Sequence, residues 1–370
     1  MTSSISTSTS TSSTISTSPS LSLSQLGWTP YFQQQLSLQE WENHTIGRIA
    51  AHHRATIEYI TIESGKCLLP ITSGLTDLTV GDWILLDSDQ RFVRSLTRLS
   101  SFSRKAPGSK VAVQHIAANI STVFVVCSLN QNFNLSRIER YLALANEAGV
   151  EPVVVLTKAD CCDDPQDYLD QVRSLDPMLM VEAVNALDSQ SVKILEPWCK
   201  VGKTVAFVGS SGVGKSTLVN CLLGELSTDN GQQTQLTASE RLDDSRGRHT
   251  TTSRSLHLMP AGGLLLDTPG MRELQLADCD SGIAQTFDDI VTLAVQCRFA
   301  DCQHHSEPGC AVQLALAAGE LEQRRLTNYL KLMKEQAHNS ATLAEKRAKD
   351  RDLGRFYRRV QTDARQRRKG

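Results

Sequence analysis

The chain has 370 residues, of which 40% are hydrophobic, and its net charge at pH 7 is −2. This length suits more than one domain with a sizeable core, and the near-neutral charge gives no general argument for nucleic-acid binding. No apolar run is long enough to cross a membrane, and the N-terminus lacks the basic and apolar regions of a secretory signal. The ten cysteines favour reduced thiols and a metal site over a disulfide scaffold. We therefore expect a cytoplasmic protein without membrane contact.

The first segment is rich in serine and threonine, and Glu40 is the first charged side chain. Such a composition cannot bury enough apolar surface to offset the entropy of ordering. We predict a disordered leader over residues 1–39, with Trp28, Tyr31 and Phe32 as the candidates for the start of order.

Short β-rich segments separated by glycine characterise residues 40–108, with strands predicted at 47–50, 55–62 and 83–86. Several short strands ahead of an α/β region favour a five-stranded barrel of the oligonucleotide-binding (OB) type. Its basic side chains would suit an RNA phosphate backbone, and the alternative is a scattered basic surface on a structural barrel. These side chains are Arg48, Lys66, Arg91, Arg94, Arg98, Arg104 and Lys105.

Strand and helix patterns alternate over residues 109–276. Apolar runs at 122–127, 151–156 and 204–208 predict buried strands, and an apolar stripe over 135–148 predicts a helix. This alternation is typical of a mostly parallel, doubly wound sheet, so we predict an α/β domain here.

The stretch from Gly209 to Ser216 matches the phosphate-loop pattern GxxxxGK[ST] at every specified position. A predicted strand precedes it and a predicted helix follows, as phosphate binding requires. The loop N–H groups would cradle the phosphates, Lys215 would reach the β and γ phosphates, and the Ser216 hydroxyl would bind Mg²⁺. The alternative is a glycine-rich turn in an ordinary α/β domain. The predicted phosphate-binding residues are Gly209, Ser210, Ser211, Gly212, Val213, Gly214, Lys215, Ser216 and Thr217.

Two segments ahead of this loop are candidates for recognition of a guanine base. One predicted strand ends in Thr157, Lys158 and Asp160. The Asp160 carboxylate could accept the N1 and 2-amino hydrogens of guanine, a donor pair that adenine lacks. A later strand leads into Asn185 and Ala186, where a backbone N–H could reach the guanine carbonyl. The alternatives are a helix N-cap at Asp160 and a turn residue at Asn185.

A long polar stretch over residues 227–253 follows the phosphate loop, and such a loop inside a compact domain is usually functional. Asp267 then ends a predicted strand, which suits a carboxylate that orients the Mg²⁺ ion. Gly270 would offer its N–H to the γ-phosphate. The alternative for this segment is an ordinary β-turn.

Four potential zinc ligands, Cys297, Cys302, His304 and Cys310, occur within a short span. Three thiolates and one imidazole form a standard closed structural zinc set. The first spacing is wider than usual, His305 is a rival imidazole, and the alternative is a group of free buried cysteines. Four protein ligands leave no open coordination position, which argues against a catalytic zinc.

The rest of the chain is predicted to be helical and then basic. Residues 277–345 form the predicted zinc-binding lobe, with helices over 312–337. Arginine and lysine then accumulate in a basic tail over residues 346–370, which is either a solvated tail or a contact with nucleic acid.

Together these motifs resemble a GTPase whose motif order is rotated, because the guanine-recognition segments precede the phosphate loop. With the barrel and the cysteine cluster, residues 40–335 closely resemble the family of ribosome small-subunit-dependent GTPase A. The resemblance implies a bacterial factor that binds GTP and GDP and acts late in maturation of the 30S subunit. It also implies contact with 16S ribosomal RNA and hydrolysis that the subunit stimulates.

The resemblance assigns further roles to residues near the phosphate loop. It implies that His249 positions the attacking water, because Met271 stands where many GTPases carry a glutamine. The alternative for His249 is a contact with RNA or solvent. We select Thr251, ahead of Thr250, as the threonine that closes onto Mg²⁺ and the γ-phosphate. Thr157 departs from the asparagine that the family often carries, and this predicts weaker support of the guanine pocket.

The sequence therefore predicts a multi-domain, monomeric, circularly permuted GTPase with one structural zinc ion and Mg²⁺ bound with GTP. Two alternatives remain open. One is a P-loop ATPase or nucleotide kinase, which GTP and ATP competition would separate, and the other is a non-catalytic RNA chaperone gated by GTP.

Overall fold

The computed structural model of the chain describes residues 21–105, 113–224, 254–267 and 279–340. Within those ranges, no helix combines the length and the apolar character needed to cross a membrane. The strands are β1 (Thr45–His52), β2 (Thr56–Thr61), β3 (Gly65–Pro70), β4 (Trp83–Leu86), β5 (Phe92–Ser95), β6 (Ser101–Lys105), β7 (Val113–Ala118), β8 (Thr122–Ser128), β9 (Glu151–Thr157), β10 (Met180–Val184), β11 (Thr204–Gly209), β12 (Arg254–Leu258) and β13 (Leu264–Asp267). The helices are α1 (Pro30–Gln33), α2 (Leu38–Asn43), α3 (Leu135–Glu147), α4 (Pro165–Arg173), α5 (Ser189–Val192), α6 (Lys215–Leu222), α7 (Asp280–Thr286), α8 (Asp288–Ala294), α9 (Ala311–Ala318) and α10 (Gln323–Ser340). Short 3₁₀ turns lie at Ser73–Leu75, Ala159–Cys161 and Lys193–Trp198.

The central part of the fold is a parallel sheet in the order β10-β9-β8-β11-β13. Each of the predicted strands of this region is present, and α3 connects β8 to β9 as the helical stripe predicted. The structure therefore confirms the mostly parallel α/β sheet. Strand β12 pairs antiparallel with β13 and ends the parallel part.

Both faces of this sheet are buried, which explains its almost continuous apolar strands. Side chains alternate between the faces of a strand. Val123 and Val125 of β8 accordingly belong to the core on the α3 side, together with Leu142. Phe124 and Val126 belong to the opposite core, which includes Leu218 of α6.

Strands β1 to β5 form an antiparallel unit in the order β3-β2-β1-β4-β5, which we call the N-terminal β unit. The strands predicted at 47–50, 55–62 and 83–86 are confirmed as β1, β2 and β4. The predicted closed OB-type barrel is not confirmed, because β3 and β5 stand at the two ends of this order. Strand β1 also pairs with β12, so the unit extends the α/β sheet to eleven strands.

The packed region includes Trp28 and Phe32, the residues predicted for the start of order, so the disordered leader predicted over residues 1–39 was too long. Leu26 and Phe32 are buried, and the ring of Trp28 lies 4.8 Å from that of Trp83 in β4. Aromatic burial of this kind offsets the ordering entropy that the serine-rich composition alone could not. Residues 1–20 lie outside the described ranges.

Arg48 of β1 links three parts of the chain in the interior and is only 1% exposed. Its guanidinium donates to the Leu26 carbonyl, to the Asn119 carbonyl at 3.0 Å and to the Thr204 hydroxyl at 3.0 Å. Burial lowers the pKa of Arg48 to about 9. The prediction that this side chain contacts RNA is therefore wrong, because it joins the N-terminal segment and the β unit to the start of β11.

The C-terminal helices dock on α3 of the sheet domain. The Gly282 N–H of α7 donates to the Glu147 carboxylate at 2.7 Å, and the Cys279 thiol donates to the Ala143 carbonyl at 3.5 Å. A Cβ at position 282 would collide with the Ala143 carbonyl oxygen. Glycine is therefore required for this close approach of the two helices.

Candidate nucleotide site and metal centre

The phosphate loop connects the end of β11 to the start of α6, as the motif predicted. Gly209, Gly212 and Gly214 have φ values of 143°, 77° and 92°, a region that residues with a Cβ rarely adopt. A Cβ on Gly209 would also collide with the carbonyl oxygen of Val126 in β8. The motif glycines are thus explained by backbone conformation and by close packing against the neighbouring strand.

Lys215 begins α6, and its side chain folds back over the loop. Its ammonium donates to the Gly209 carbonyl at 2.7 Å and to the Ser210 carbonyl. Lys215 is 8% exposed, so the loop holds a largely buried positive charge at a helix N-terminus. Both features favour an anion such as a phosphate. Ser216 and Thr217 follow in the first turn of α6.

Thr157, the last residue of β9, contacts the phosphate loop directly. Its buried hydroxyl donates to the Val213 carbonyl at 2.6 Å and lies 3.3 Å from the Cys127 carbonyl. Thr157 therefore connects the guanine-recognition segment to the phosphate loop. It does so without the side-chain amide of the asparagine that the resembling family often carries at this position. The sequence pattern gave no sign of this contact, because the two segments are far apart along the chain.

The other guanine-recognition candidates lie at the same edge of the sheet, since β9, β10 and β11 run parallel. Lys158 adopts a left-handed conformation with a φ of 60°, and Asp160 is exposed. Asp160 lies within the turn Ala159–Cys161, so it is not an N-cap residue.

The Asn185 side chain accepts the Leu187 N–H at 3.0 Å, which makes Asn185 a turn residue, the alternative given for it above. This turn follows β10 and includes Ala186, which is buried.

Asp267 is the exposed last residue of β13, the strand next to β11. Its carboxylate thus lies at the carboxyl edge of the sheet, as expected for a residue near the phosphates. The other predicted residues, His249, Thr251 and Gly270, lie outside the described ranges.

The four predicted metal ligands lie together between α8 and α9. The ligand atoms of Cys297, Cys302, His304 and Cys310 are all within 4.8 Å of one another. The Cys297 and Cys310 sulfurs are 3.8 Å apart, and His304 Nδ1 lies 3.6 Å and 3.5 Å from them. A tetrahedron with Zn–S bonds of about 2.3 Å has edges of about 3.8 Å. His304 is buried and His305 is exposed, so His304 is the imidazole of this cluster.

The pKa values of Cys297, Cys302 and His304 are shifted in different directions by their surroundings. Burial raises the pKa of Cys297, but hydrogen bonds from the Val312 and Ala311 N–H groups and from the Cys310 and Cys302 thiols together lower the pKa overall. Burial and the neighbouring thiols raise the pKa of Cys302 to about 11, since several thiolates repel one another without a cation. Burial lowers the pKa of His304, which favours the neutral form that binds metals. The site therefore has the donors and the geometry for one tetrahedral Zn²⁺.

Most basic side chains of the N-terminal β unit are already neutralised by carboxylates. Arg94 pairs with Glu40 at 2.8 Å, and Arg98 pairs with the buried Asp82 at 2.7 Å. Lys66 similarly pairs with Glu58 at 2.9 Å, and Arg91 with Asp89 at 3.3 Å. Fewer basic side chains of this unit can consequently contact an RNA phosphate backbone than its composition suggests.

The phosphate loop and the order of the strands define a class of protein. A P-loop on β11, with base-recognition candidates on the earlier strands β9 and β10, defines a circularly permuted P-loop GTPase. The family model described as RsgA GTPase matches residues 95–277. A small ribosomal subunit biogenesis GTPase RsgA 2 from Vibrio parahaemolyticus is 59% identical, covering 93% of this chain and 94% of the relative. The chain belongs to the RsgA GTPase family.

Other comparisons agree with this assignment. A small ribosomal subunit biogenesis GTPase RsgA from Mesorhizobium japonicum is 44% identical over 91% of this chain and 96% of that protein. The crystal structure of YjeQ from Thermotoga maritima matches with a TM-score of 0.56 and 25% identity, covering 79% of this chain and 98% of that one. The structure of YloQ, described as a circularly permuted GTPase, matches with a TM-score of 0.56 and 23% identity, covering 80% and 96%. The last likeness concerns the fold alone.

Proposed function

We propose that this chain hydrolyses GTP to GDP and phosphate and acts in the maturation of the small ribosomal subunit. The observation that carries the chemistry is the contact of Thr157 with Val213, which joins a guanine-type recognition segment to a complete phosphate loop. The role in maturation is supported by the names of the relatives, which are small ribosomal subunit biogenesis GTPases. Such a factor acts in the bacterial cytoplasm, where these subunits mature.

In this reaction, water attacks the γ-phosphorus, and the bond to the oxygen that bridges the β and γ phosphates breaks. Lys215 holds the β and γ phosphate oxygens and stabilises the charge that develops on them. Asp160 selects guanine. His249 positions the water, and the N–H of Gly270 binds the γ-phosphate.

Mg²⁺ supplies charge neutralisation at the β and γ phosphates when it is bound with GTP. Hard oxygen donors suit this ion, and the Ser216 hydroxyl stands in the first turn of α6 beside the phosphate loop. Thr251 would add a second hydroxyl, and the Asp267 carboxylate at the end of β13 would help to hold the ion.

The outer regions of the molecule serve structure and RNA binding. Zn²⁺ held by Cys297, Cys302, His304 and Cys310 stabilises the segment between α8 and α9. The N-terminal β unit binds RNA as a partly open OB-type barrel, a proposal that its five antiparallel strands allow. The basic tail over residues 346–370 adds contacts with 16S ribosomal RNA, and the protein acts as a monomer.

The first experiment measures phosphate release from GTP and from ATP, with and without purified small ribosomal subunits. We expect the subunits to stimulate hydrolysis of GTP by the protein. We expect no hydrolysis of ATP, with or without the subunits. Lys215→Ala should abolish the reaction, because it removes the phosphate-binding ammonium. His249→Ala should slow it by about 100-fold while GDP affinity is retained, because only water positioning is lost.

The outcomes separate the parts of this proposal. Equal hydrolysis of ATP and GTP would instead indicate a general P-loop ATPase. GTP hydrolysis that is indifferent to the subunits would contradict the ribosomal role but keep the chemistry. An unchanged rate in His249→Ala would contradict the water-positioning role alone.

A further inference from the structure

The turn after β10 satisfies its backbone N–H groups unevenly. The Asn185 N–H donates to the Ser191 hydroxyl of α5 at 2.9 Å, and the Leu187 N–H donates to the Asn185 side chain at 3.0 Å. The Asp188 N–H donates to the Asn185 carbonyl at 3.1 Å. Among the described residues, the N–H of Ala186 has no acceptor, although Ala186 is only 7% exposed. Since largely buried N–H groups are nearly always paired, this one is available to an acceptor on a ligand.

The turn is fixed from two sides. The Ala186 methyl group belongs to the core that includes Val213 of the phosphate loop and Val192 of α5. Helix α5 begins after its N-cap residue Asp188, whose carboxylate accepts a helix N–H at 2.9 Å. The half-buried Ser191 hydroxyl is therefore presented to the turn by a capped and packed helix.

The direction of the Ala186 N–H follows from the geometry of the peptide unit. The Asn185 carbonyl and the Ala186 N–H belong to one planar trans peptide, so they point in opposite directions. The carbonyl faces the Asp188 N–H inside the turn. The bond from the Asn185 N–H to Ser191 holds the preceding peptide. With both peptides of Asn185 held, the Ala186 N–H is directed away from the turn.

We propose that Ser191 is a positioning residue for the nucleotide base, a role that rests on the proposed function as a GTPase. Its hydroxyl fixes the Asn185 amide and so directs the Ala186 N–H toward the carbonyl oxygen of guanine. Holding the donor in place before the nucleotide arrives reduces the cost of ordering it on binding.

An N–H group fixed in this way adds to the selection of guanine. Guanine carries an oxygen at position 6, which accepts a hydrogen bond, whereas adenine carries an amino group there, which donates. Two donors that face each other are both left unpaired, so a fixed Ala186 N–H disfavours adenine. Ser191 thus acts on a different atom of the base from Asp160, which would accept the N1 and 2-amino hydrogens.

The test is calorimetric titration of the full chain with GDP, with 6-thioguanosine diphosphate (6-thio-GDP) and with inosine diphosphate (IDP). The first analogue replaces the carbonyl oxygen by sulfur, a weaker acceptor, and the second lacks only the 2-amino group. Ser191→Ala should raise the Kd for GDP about fivefold, the effect of one lost hydrogen bond. The preference for GDP over 6-thio-GDP should shrink, because the misdirected N–H no longer distinguishes oxygen from sulfur. The preference for GDP over IDP should stay the same, because the Asp160 contact is kept.

Two matched variants control for the substitution itself. Ser191→Thr keeps the hydroxyl and should keep the wild-type values. Ser189→Ala makes the same change on the same helix, at an exposed hydroxyl that forms no hydrogen bond within the described residues, and should also leave all three affinities unchanged. Melting temperatures report whether each variant is folded.

An equal loss of affinity for all three nucleotides in folded Ser191→Ala would overturn the positioning role, because general loosening of the site does not depend on the atom at position 6. Wild-type affinities in that variant would overturn it as well. Wild-type protein that binds ADP as tightly as GDP would contradict guanine recognition and this proposal together. Wild-type protein that selects GDP through Ser191 but does not hydrolyse GTP would contradict the proposed function alone.

Discussion

At the scale of single residues, the Thr157 hydroxyl contacts the phosphate loop at a position where the family often carries the larger side chain of asparagine. A threonine hydroxyl has one hydrogen to donate, and at 2.6 Å the Val213 carbonyl receives it. The Thr157 carbonyl accepts the Leu129 N–H at 2.8 Å, so the residue is held from both its backbone and its side chain. The end of β9 is thereby fixed against the phosphate loop.

Thr157→Val keeps the shape of this side chain and removes its donor. The variant should lose about 1–3 kcal/mol of stability, because the buried Val213 carbonyl is left without a partner. GDP affinity should fall as well, since the phosphate loop loses a fixed support. Urea unfolding and calorimetric GDP titration measure the two effects. Thr157→Ser is the control that keeps the hydroxyl, and a valine variant with wild-type values in both measurements would contradict the assigned role.

At the scale of the elements, α3 is the support on which the C-terminal helices assemble. Its Glu139 is fully buried and accepts from Arg324 at 3.0 Å, from Arg325 at 2.9 Å and from Asn328 at 2.6 Å, all on α10. Arg325 also pairs with Asp289 of α8 at 2.6 Å. A buried carboxylate with this many donors fixes the orientation of α10 on α3.

Glu139→Gln should destabilise the protein by about 3 kcal/mol, because it removes the buried carboxylate shared by Arg324 and Arg325 and leaves Arg325 with Asp289 alone. Glu335→Gln is the matched control, since it removes the half-exposed pair with Arg140, also between α3 and α10. That control should cost less than about 1 kcal/mol. Urea unfolding of both variants measures the difference, and equal costs would show that the buried network does not govern the docking of α10.

At the scale of the whole molecule, one sheet runs from the N-terminal β unit through the α/β domain, and the C-terminal helices pack against α3. Arg48, the β1–β12 pairing and the Glu139 network join these parts through buried polar contacts. Within the metal-ligand segment between α8 and α9, the apolar side chains of Val295 and Phe299 are exposed instead of packed in the core. The structure of this segment should consequently depend on metal.

Purified protein should contain one zinc ion per chain, and its removal by a chelator should lower the Tm while GDP affinity is kept, because the ligands lie outside the nucleotide site. Atomic absorption, thermal unfolding and GDP titration measure the three quantities. Cys310→Ser should reproduce the effect, whereas Cys161→Ser, at an exposed cysteine outside the cluster, should not. An unchanged Tm after complete zinc removal would contradict the structural role.

The sequence by itself determined the local chemistry of this protein. Apolar runs identified β8, β9 and β11, glycine spacing identified the phosphate loop, and the cysteine spacing identified the cluster of three cysteines and one histidine. These signals are readable because backbone conformation, strand burial and ligand type act over a few neighbouring residues. The motif order also indicated the permuted GTPase, because motif order is itself a property of the sequence.

Only the tertiary structure decided which side chains meet across long sequence separations. It placed Arg48 in the interior, paired Arg94 and Arg98 with carboxylates, selected His304 over His305 and connected Thr157 to the phosphate loop. It also showed that the aromatic residues near Trp28, which the sequence indicated for the start of order, pack on Trp83 of β4. Burial and ion pairing depend on partners supplied by distant strands and helices, and no local pattern records those partners.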